Sequence, residues 1–309
     1  MKLDGIHHIT AITGDAVGNV EFYTGVLGLR MVKQTVNQDD PTVYHLFYGD
    51  DDGSPGMDLT FFEYPGAARG TAGAGMVHRI VWRVGSADAI AFWAKRLGDA
   101  GTELVEQRAE RLRFADPEGL EHELAVSDAP DQPLRASAPG IAPEHALQGF
   151  AGVRAYSAEP ASSAALLGET LGFTSSDDGA SWEVRGERRG SFYAYDAPPE
   201  EPPVQGAGSV HHVAFASQPD DEQAWQTRVA ESGHARPTTI IDRFYFRSIY
   251  FREPSGVLFE IATIGPGFAV DEDAAHLGER LSLPPRFEPL RERLQGVLKP
   301  LPYPRAPAS

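Results

Sequence analysis

The sequence predicts an α+β protein assembled from four copies of one small unit, arranged as two pairs. Three observations predict it. "DPEGLEHELAV" (Asp116–Val126) and "EPSGVLFEIAT" (Glu253–Thr263) share an acidic-Pro-x-Gly turn and a glutamate four residues after the glycine. Upstream of each, "GMVHRIVWRV" (Gly75–Val84) matches "GSVHHVAFAS" (Gly208–Ser217). Two weaker copies begin at "GIHHITAIT" (from Gly5) and "GVRAYSAEP" (from Gly152). A repeat on this scale marks a supersecondary unit that buries its apolar face by packing on its neighbours.

Each unit opens with a strand-like run and continues into a helical stretch. In the first, "NVEFYTGVLGL" places Val20, Tyr23 and Leu27 on one helical face. Gly28 then suits a helix C-terminus. The third unit repeats this Leu-Gly ending in "SSAALLGETLGF". Two or three strands follow, such as "TVYHLFYGD" and "MDLTFFEY" in the first unit and "SWEVRGE" and "GSFYAYDA" in the third. A Pro/Ala-rich stretch divides the units into pairs. The expected boundaries are a first domain at 1–128, a linker at 129–146, a second domain at 147–283 and a Pro-rich tail at 284–309. The tail reads as a wrapping or partly disordered end.

The net charge of -17 argues against nucleic acid and anionic membranes as partners. The absence of cysteine excludes disulfides, thiolate metal sites and a cysteine nucleophile. No run approaches the roughly 20 apolar residues of a membrane span, and no leader precedes the first strand, so a cytoplasmic protein is expected.

Comparison among the units isolates a candidate metal site. The two compared positions are the residue opening the apolar run and the one four after the terminal glycine. The first unit offers His8 and Thr60, the second Arg79 and Glu123, the third Ala155 and Ala194, the fourth His212 and Glu260. Two imidazoles and one carboxylate form a facial triad, which suits non-haem Fe(II) and is also compatible with zinc. Glu260 lies in an otherwise apolar strand, where an unpaired carboxylate is costly. Arg79 would repel a cation, so Glu123 reads as its ion-pair partner. Strand alternation puts Thr10 on the face of His8, lining a pocket. The same rule turns His7 and His211 to the opposite face, where they either back the ligands or pack. His45 reads as a core or hydrogen-bonding residue. His78, His122, His145, His234 and His276 read as structural or surface residues.

"GIHHIT", "FYTGVLGLRMVKQTVN", "YHLFYGD", "SVHHVAFA", "DRFYFRSIYFREPSGVLFEIAT" and "GPGFAVDED", in this order, resemble the ring-cleaving dioxygenases of the vicinal oxygen chelate superfamily, most of all the hydroquinone 1,2-dioxygenase type. The resemblance implies four βαβββ modules forming two open barrel-like domains. It implies Fe(II), sometimes Mn(II), on the residues matching His8, His212 and Glu260, with a small aromatic diol and O2 as substrates. It also implies pocket residues matching Tyr250 and Arg243. Strict alternation sets those two on opposite faces unless a loop or bulge intervenes. Phe244, Phe246 and Phe251 are candidates for aromatic walls. A glyoxalase-type isomerase and a metal-free ligand-sequestering protein share the fold and are the alternative functions. A homo-oligomer is left open.

Overall fold

The computed structural model describes residues 1–176 and 179–302. Each unit is a strand, a helical segment and three further strands. The first holds β1 (Ile6–Thr13), β2 (Arg30–Val36), β3 (Tyr44–Gly49) and β4 (Asp58–Glu63). The second holds β5 (Val77–Val84), β6 (Leu104–Gln107), β7 (Arg111–Ala115) and β8 (Glu121–Val126). The third holds β9 (Phe150–Tyr156), β10 (Thr174–Ser175), β11 (Ser181–Arg185) and β12 (Gly190–Asp196). The fourth holds β13 (Val210–Ser217), β14 (Ile241–Asp242), β15 (Arg247–Arg252) and β16 (Leu258–Thr263).

The helical segments differ between odd and even units. In the first, α1 (Ala16–Val20) runs into a π-helical turn at Glu21–Val26. In the third, a 3₁₀ turn at Pro160–Ser163 leads into a π-helical turn at Ala165–Thr170. The second and fourth carry ordinary helices, α2 (Ala87–Asp99) and α3 (Glu222–Glu231). The face predicted for the first helix is the buried one: Val20, Tyr23 and Leu27 are all inside. Gly28 ends it at φ +69°, a left-handed conformation that glycine adopts without a Cβ clash.

Two eight-stranded sheets result. One runs β14-β15-β16-β13-β1-β4-β3-β2 and the other β10-β11-β12-β9-β5-β8-β7-β6. The antiparallel pairs β1–β13 and β5–β9 sit at the two centres. Each sheet therefore takes one unit from either side of the proline-rich stretch. A site shared by His8 and His212 requires this arrangement, because it puts the first and fourth units side by side.

The acidic-Pro-x-Gly turns help join the sheets. Asp116 accepts the backbone N–H groups of Glu118 and Leu120, and also the Tyr23 hydroxyl at 2.9 Å. Glu253 accepts the N–H groups of Ser255 and Val257, and the Tyr195 hydroxyl at 2.9 Å. In each case the tyrosine belongs to a unit of one sheet and the acid to a unit of the other. Behind them, Trp82, Trp93, Tyr193 and Phe259 fill a shared apolar core. Beyond Leu283, α4 (Arg291–Val297) buries Leu294, and the Lys299 carbonyl accepts the Tyr44 hydroxyl at 2.8 Å. The tail thus wraps the first unit; its residues 303–309 lie outside the described residues.

Tyr23 also contacts His122 Nε2 at 3.0 Å, while Trp82 donates to His122 Nδ1 at 3.1 Å. Tyr23→Phe leaves a buried carboxylate and a buried imidazole each short of one partner. Such a loss costs about 1–3 kcal/mol. The expected outcome is a lower urea midpoint with an unchanged m-value; an unmoved midpoint would show that Tyr23 contributes packing alone.

Candidate metal centre and its cavity

β1, β13 and β16 lie next to one another at the middle of the first sheet. Their register places Thr10 opposite His212, His8 opposite Ala214, and Ala214 opposite Glu260. His8, His212 and Glu260 consequently project from three neighbouring strands onto one face. Their side chains are 2%, 5% and 0% exposed. His8 Nε2 lies 3.3 Å from His212 Nε2, and these two nitrogens lie 3.1 Å and 2.9 Å from Glu260 Oε2. Among the described residues this is the one group of three histidine, aspartate or glutamate side chains close enough to share an ion.

The hydrogen bonds around the trio define its chemistry. Glu260 Oε1 accepts the Ser248 hydroxyl and the Tyr250 hydroxyl, the latter at 3.1 Å. Among the described residues Oε2 meets no hydrogen-bonding group besides the two imidazole nitrogens. His7 Nε2 lies 3.2 Å from the Thr263 carbonyl, which can only accept, so His7 carries its proton there. Burial lowers the His7 pKa to about 3, so its Nδ1 is a bare acceptor. His8 Nδ1, 2.9 Å away, must then be the donor. In the neutral His8 this leaves Nε2 as a lone pair aimed at Glu260 Oε2. Two unshared acceptor atoms at that distance, inside a buried site, fit a divalent cation between them. Burial pushes the Glu260 pKa up, but His8 and His212 outweigh it and hold the carboxyl well below its usual range.

His7 and His211 do not simply face away, and β-bulges are the reason. Two residues of β1, from Ile6 to His8, match one step of β13, so His7 is the extra residue. On β13, His211 is extra in the same way, between Val210 and His212. The bulges swing each ring beside its neighbour, and His211 Nδ1 lies 2.7 Å from His212 Nδ1. His7 and His211 therefore contact the His8 and His212 imidazoles from the side, and His211 also lines the cavity.

Above the trio opens a cavity of ≈ 450 Å³. Phe47, Phe62, Tyr245 and Phe246 supply its aromatic lining. Of the three phenylalanines expected there, Phe246 alone lines it. Phe251 is buried in the core, and Phe244 packs beside a separate cluster. Thr10 is corrected too. It is fully buried and does not line the cavity, because its hydroxyl is turned to Thr60 at 2.8 Å. Thr60 in turn contacts His45 Nε2 at 2.9 Å. His45, expected as a core or hydrogen-bonding residue, makes that hydrogen bond and also lines the cavity; its place opposite Thr35 and Phe62 in the ladders gives it to the same face.

Arg243 and Tyr250 do meet. Arg243 precedes a tight turn in which Phe244 has φ +69°, and this breaks the alternation. Arg243 Nε donates to the Tyr250 hydroxyl at 3.2 Å, and its guanidinium stands over the Tyr250 ring, 5.2 Å from the centroid. Burial, then Glu260, raises the Tyr250 pKa, so the phenol keeps its proton. Burial works against the Arg243 charge, yet Tyr250 and Asp39 hold its pKa above the ordinary value.

The second sheet has the matching place without the donors. Arg79 pairs with Glu123 at 3.1 Å and with Glu121 at 3.2 Å, as the ion-pair reading expects. The ladders set Val81 opposite Gly152, so Gly152, rather than Ala155, is the third unit's counterpart of His212; the weak match between the units hid this shift. Ala194 keeps its assignment, opposite Arg154 as Glu260 is opposite Ala214.

The family follows from comparison with known proteins. The model of the Glyoxalase/Bleomycin resistance protein/Dioxygenase superfamily matches residues 5–124 and 149–261. The chain belongs to that superfamily. It is 39% identical to "Putative ring-cleaving dioxygenase MhqE" of Bacillus subtilis, over 97% of this chain and 100% of that protein. It is 30% identical to the chlorohydroquinone/hydroquinone 1,2-dioxygenase of Sphingobium indicum, over 95% of each. The crystal structure titled "putative dioxygenase" from Bacillus subtilis superposes with a TM-score of 0.90 at 39% identity, covering 98% of each chain. Glyoxalase I from Zea mays, at 14% identity and a TM-score of 0.58 over 89% of this chain and 96% of that one, shares the fold. Among the described residues no helix is long and apolar enough to cross a membrane.

His7→Phe keeps an aromatic ring but removes the acceptor that fixes the His8 tautomer. Losing such a support typically lowers metal affinity about 10- to 100-fold. Equilibrium dialysis against Mn(II) is expected to show that loss with the melting temperature nearly unchanged. Wild-type affinity in this variant would make His7 a packing residue.

Proposed function

We propose that the chain is a ring-cleaving dioxygenase that inserts O2 into a hydroquinone- or catechol-type ring, using Fe(II), or Mn(II), held by His8 Nε2, His212 Nε2 and Glu260 Oε2. The observation that carries the reading is the three-donor trio on the floor of an aromatic cavity, with Tyr250 and Arg243 beside it. The names of the relatives support the same reaction class. The bound metal would acidify a ring hydroxyl, offer open coordination positions and pass electrons between ring and oxygen.

The protein's own groups do the rest. A cavity of this size lies within the roughly 300–1,000 Å³ of small-molecule sites. Phe62 and Phe246 hold a flat ring by its faces and exclude water. The Arg243 guanidinium lowers the energy of negative charge on a ring oxygen. Tyr250, kept protonated, turns its O–H from Glu260 Oε1 to a developing oxyanion while its oxygen stays bonded to Arg243 Nε. His45, held neutral mainly by burial, lines the cavity as an imidazole able to hydrogen-bond a substrate hydroxyl. His7 and His211 orient the ligand rings and do not meet the substrate's reacting atoms. The glyoxalase-type alternative would want a fourth ligand, and Thr60 at that place is occupied with Thr10 and His45.

The test is oxygen uptake with hydroquinone by protein loaded with Fe(II) under anaerobic conditions. No uptake, with lactoylglutathione formed from methylglyoxal and glutathione instead, would replace this reading by the isomerase. Glu260→Gln is expected to lose stoichiometric iron while staying folded, since the amide keeps the shape and loses the charge. Tyr250→Phe should keep its iron yet turn over roughly 100-fold more slowly or worse, the usual scale for a lost proton donor. Wild-type kcat there would reduce Tyr250 to a wall residue.

A further inference from the structure

Arg243 has to be held over the cavity by something outside its own strand. Its turn connects β14, only two residues long, to β15. The turn is closed by Arg243 N–H to the Phe246 carbonyl at 2.9 Å and Tyr245 N–H to the Arg243 carbonyl at 2.8 Å. Phe244, in the left-handed region, opposes this shape, because a bulky side chain is strained there. Beyond the turn, Tyr245 is anchored by the Gly267 N–H. Before it, β14 pairs with β15, Ile241 opposite Ser248 and Asp242 opposite Arg247, and the Asp242 carboxylate accepts the Phe244 N–H.

Besides Tyr250 of its own module, Arg243 is contacted by the first module. Gln38, in the β2–β3 loop, donates from Nε2 to the Arg243 carbonyl at 2.6 Å. Asp39 pairs with Arg243 Nη1 at 3.1 Å, but its side chain is 72% exposed, and such a surface pair is worth little. The direction of the Gln38 amide is set by the tail: Arg286 Nη2 donates to Gln38 Oε1 at 2.8 Å, which turns the amide nitrogen toward Arg243. Arg286 also reaches the Gln38 carbonyl at 3.3 Å.

We propose that Gln38 is a positioning residue: from the other end of the chain it fixes the backbone of the Arg243 turn, and through it sets the guanidinium against Tyr250. The relay runs from Arg286 of the tail through Gln38 to Arg243, Tyr250 and Glu260. It makes the cavity mouth a joint product of the first module, the fourth module and the tail. For its kinetic consequence the proposal rests on the dioxygenase reading; for its structural consequence it does not.

Gln38→Leu keeps much of the side-chain bulk, one bond shorter, and deletes the amide. Kinetics and a direct view of Arg243 test it together. In the iron-loaded enzyme, kcat/KM for hydroquinone should fall about tenfold or more, since small misplacements of a charged group at a reacting centre cost that much. Iron content and melting temperature should hold. In an Arg243→Met background the same substitution should add almost nothing, because both changes act through one group. Independently of activity, the Arg243 Nε–H resonance in 15N relaxation should pass from rigid in the wild type to mobile in Gln38→Leu. An Arg243 side chain as rigid as in the wild type, or an undiminished penalty in the Arg243→Met background, overturns the proposal. If Gln38→Leu does not fold, Arg286→Ala releases the same amide from the outside and should mobilise Arg243 in the same way; a rigid Arg243 there also overturns it. A wild-type protein that consumes no oxygen sinks the dioxygenase reading alone, and the relaxation result still decides the role of Gln38.

Discussion

The structure turns on one buried negative charge. Glu260 is fully inside a sheet, and among the described residues no lysine or arginine forms an ion pair with it. A carboxylate in that position is tolerable only if its charge is answered. Ser248 and Tyr250 answer one oxygen by hydrogen bonds; the other faces two imidazole nitrogens. These nitrogens come from β1 and β13, more than two hundred residues apart, so the pairing of the two strands and the assembly of the site are one event. The order of the first sheet, the crossing of the proline-rich stretch and the wrapped tail all serve to bring the ends of the chain together there.

The second sheet is an internal control. It has the same strand order and a matching bulge at its centre, where His78 is the extra residue between Val77 and Arg79. The carboxylate equivalent to Glu260 is Glu123, and it is also buried. There the charge is answered by guanidinium groups: Arg79 at 3.1 Å and Arg111 at 2.5 Å both reach Glu123. One scaffold thus neutralises the same carboxylate in two ways. Arginine satisfies it permanently and leaves nothing open, whereas two imidazoles satisfy it only through a third, exchangeable partner. Chemistry at a metal is therefore available on one sheet and closed on the other.

Much of this was legible in the residues. The repeats gave the four units, and comparison among them picked His8, His212 and Glu260 because only two units put imidazoles at the matching place. What misled was strand alternation applied without bulges. It turned His7 and His211 outward and, with no loop or bulge assumed, set Arg243 and Tyr250 on opposite faces. Each of these depends on where one extra residue or one positive φ falls, which a hydrophobic pattern does not record. The cavity-lining place of His45 was missed for a different reason: "VYHLFY" is apolar around it, so the run reads as core, although its open face is the cavity. Gln38 carries no pattern at all, since its importance comes from a contact across the fold.

The bulges also explain why histidines come in adjacent pairs. On a regular strand, neighbouring side chains stand on opposite faces and cannot touch. A bulge brings two successive rings to the same side, with Nδ1 facing Nδ1. An imidazole whose Nδ1–H is given away offers Nε2 as a lone pair, which is the form that binds a cation. The first of each pair is therefore as constrained as the second, though it never meets the metal position itself. His78 shows the order of dependence. It occupies the bulge of the second sheet without a histidine after it, and there its ring turns to Asp196 at 2.8 Å instead. The bulge is thus a property of the scaffold, and the donor is what the following residue makes of it: arginine at position 79 closes the site, and histidine at positions 8 and 212 opens it.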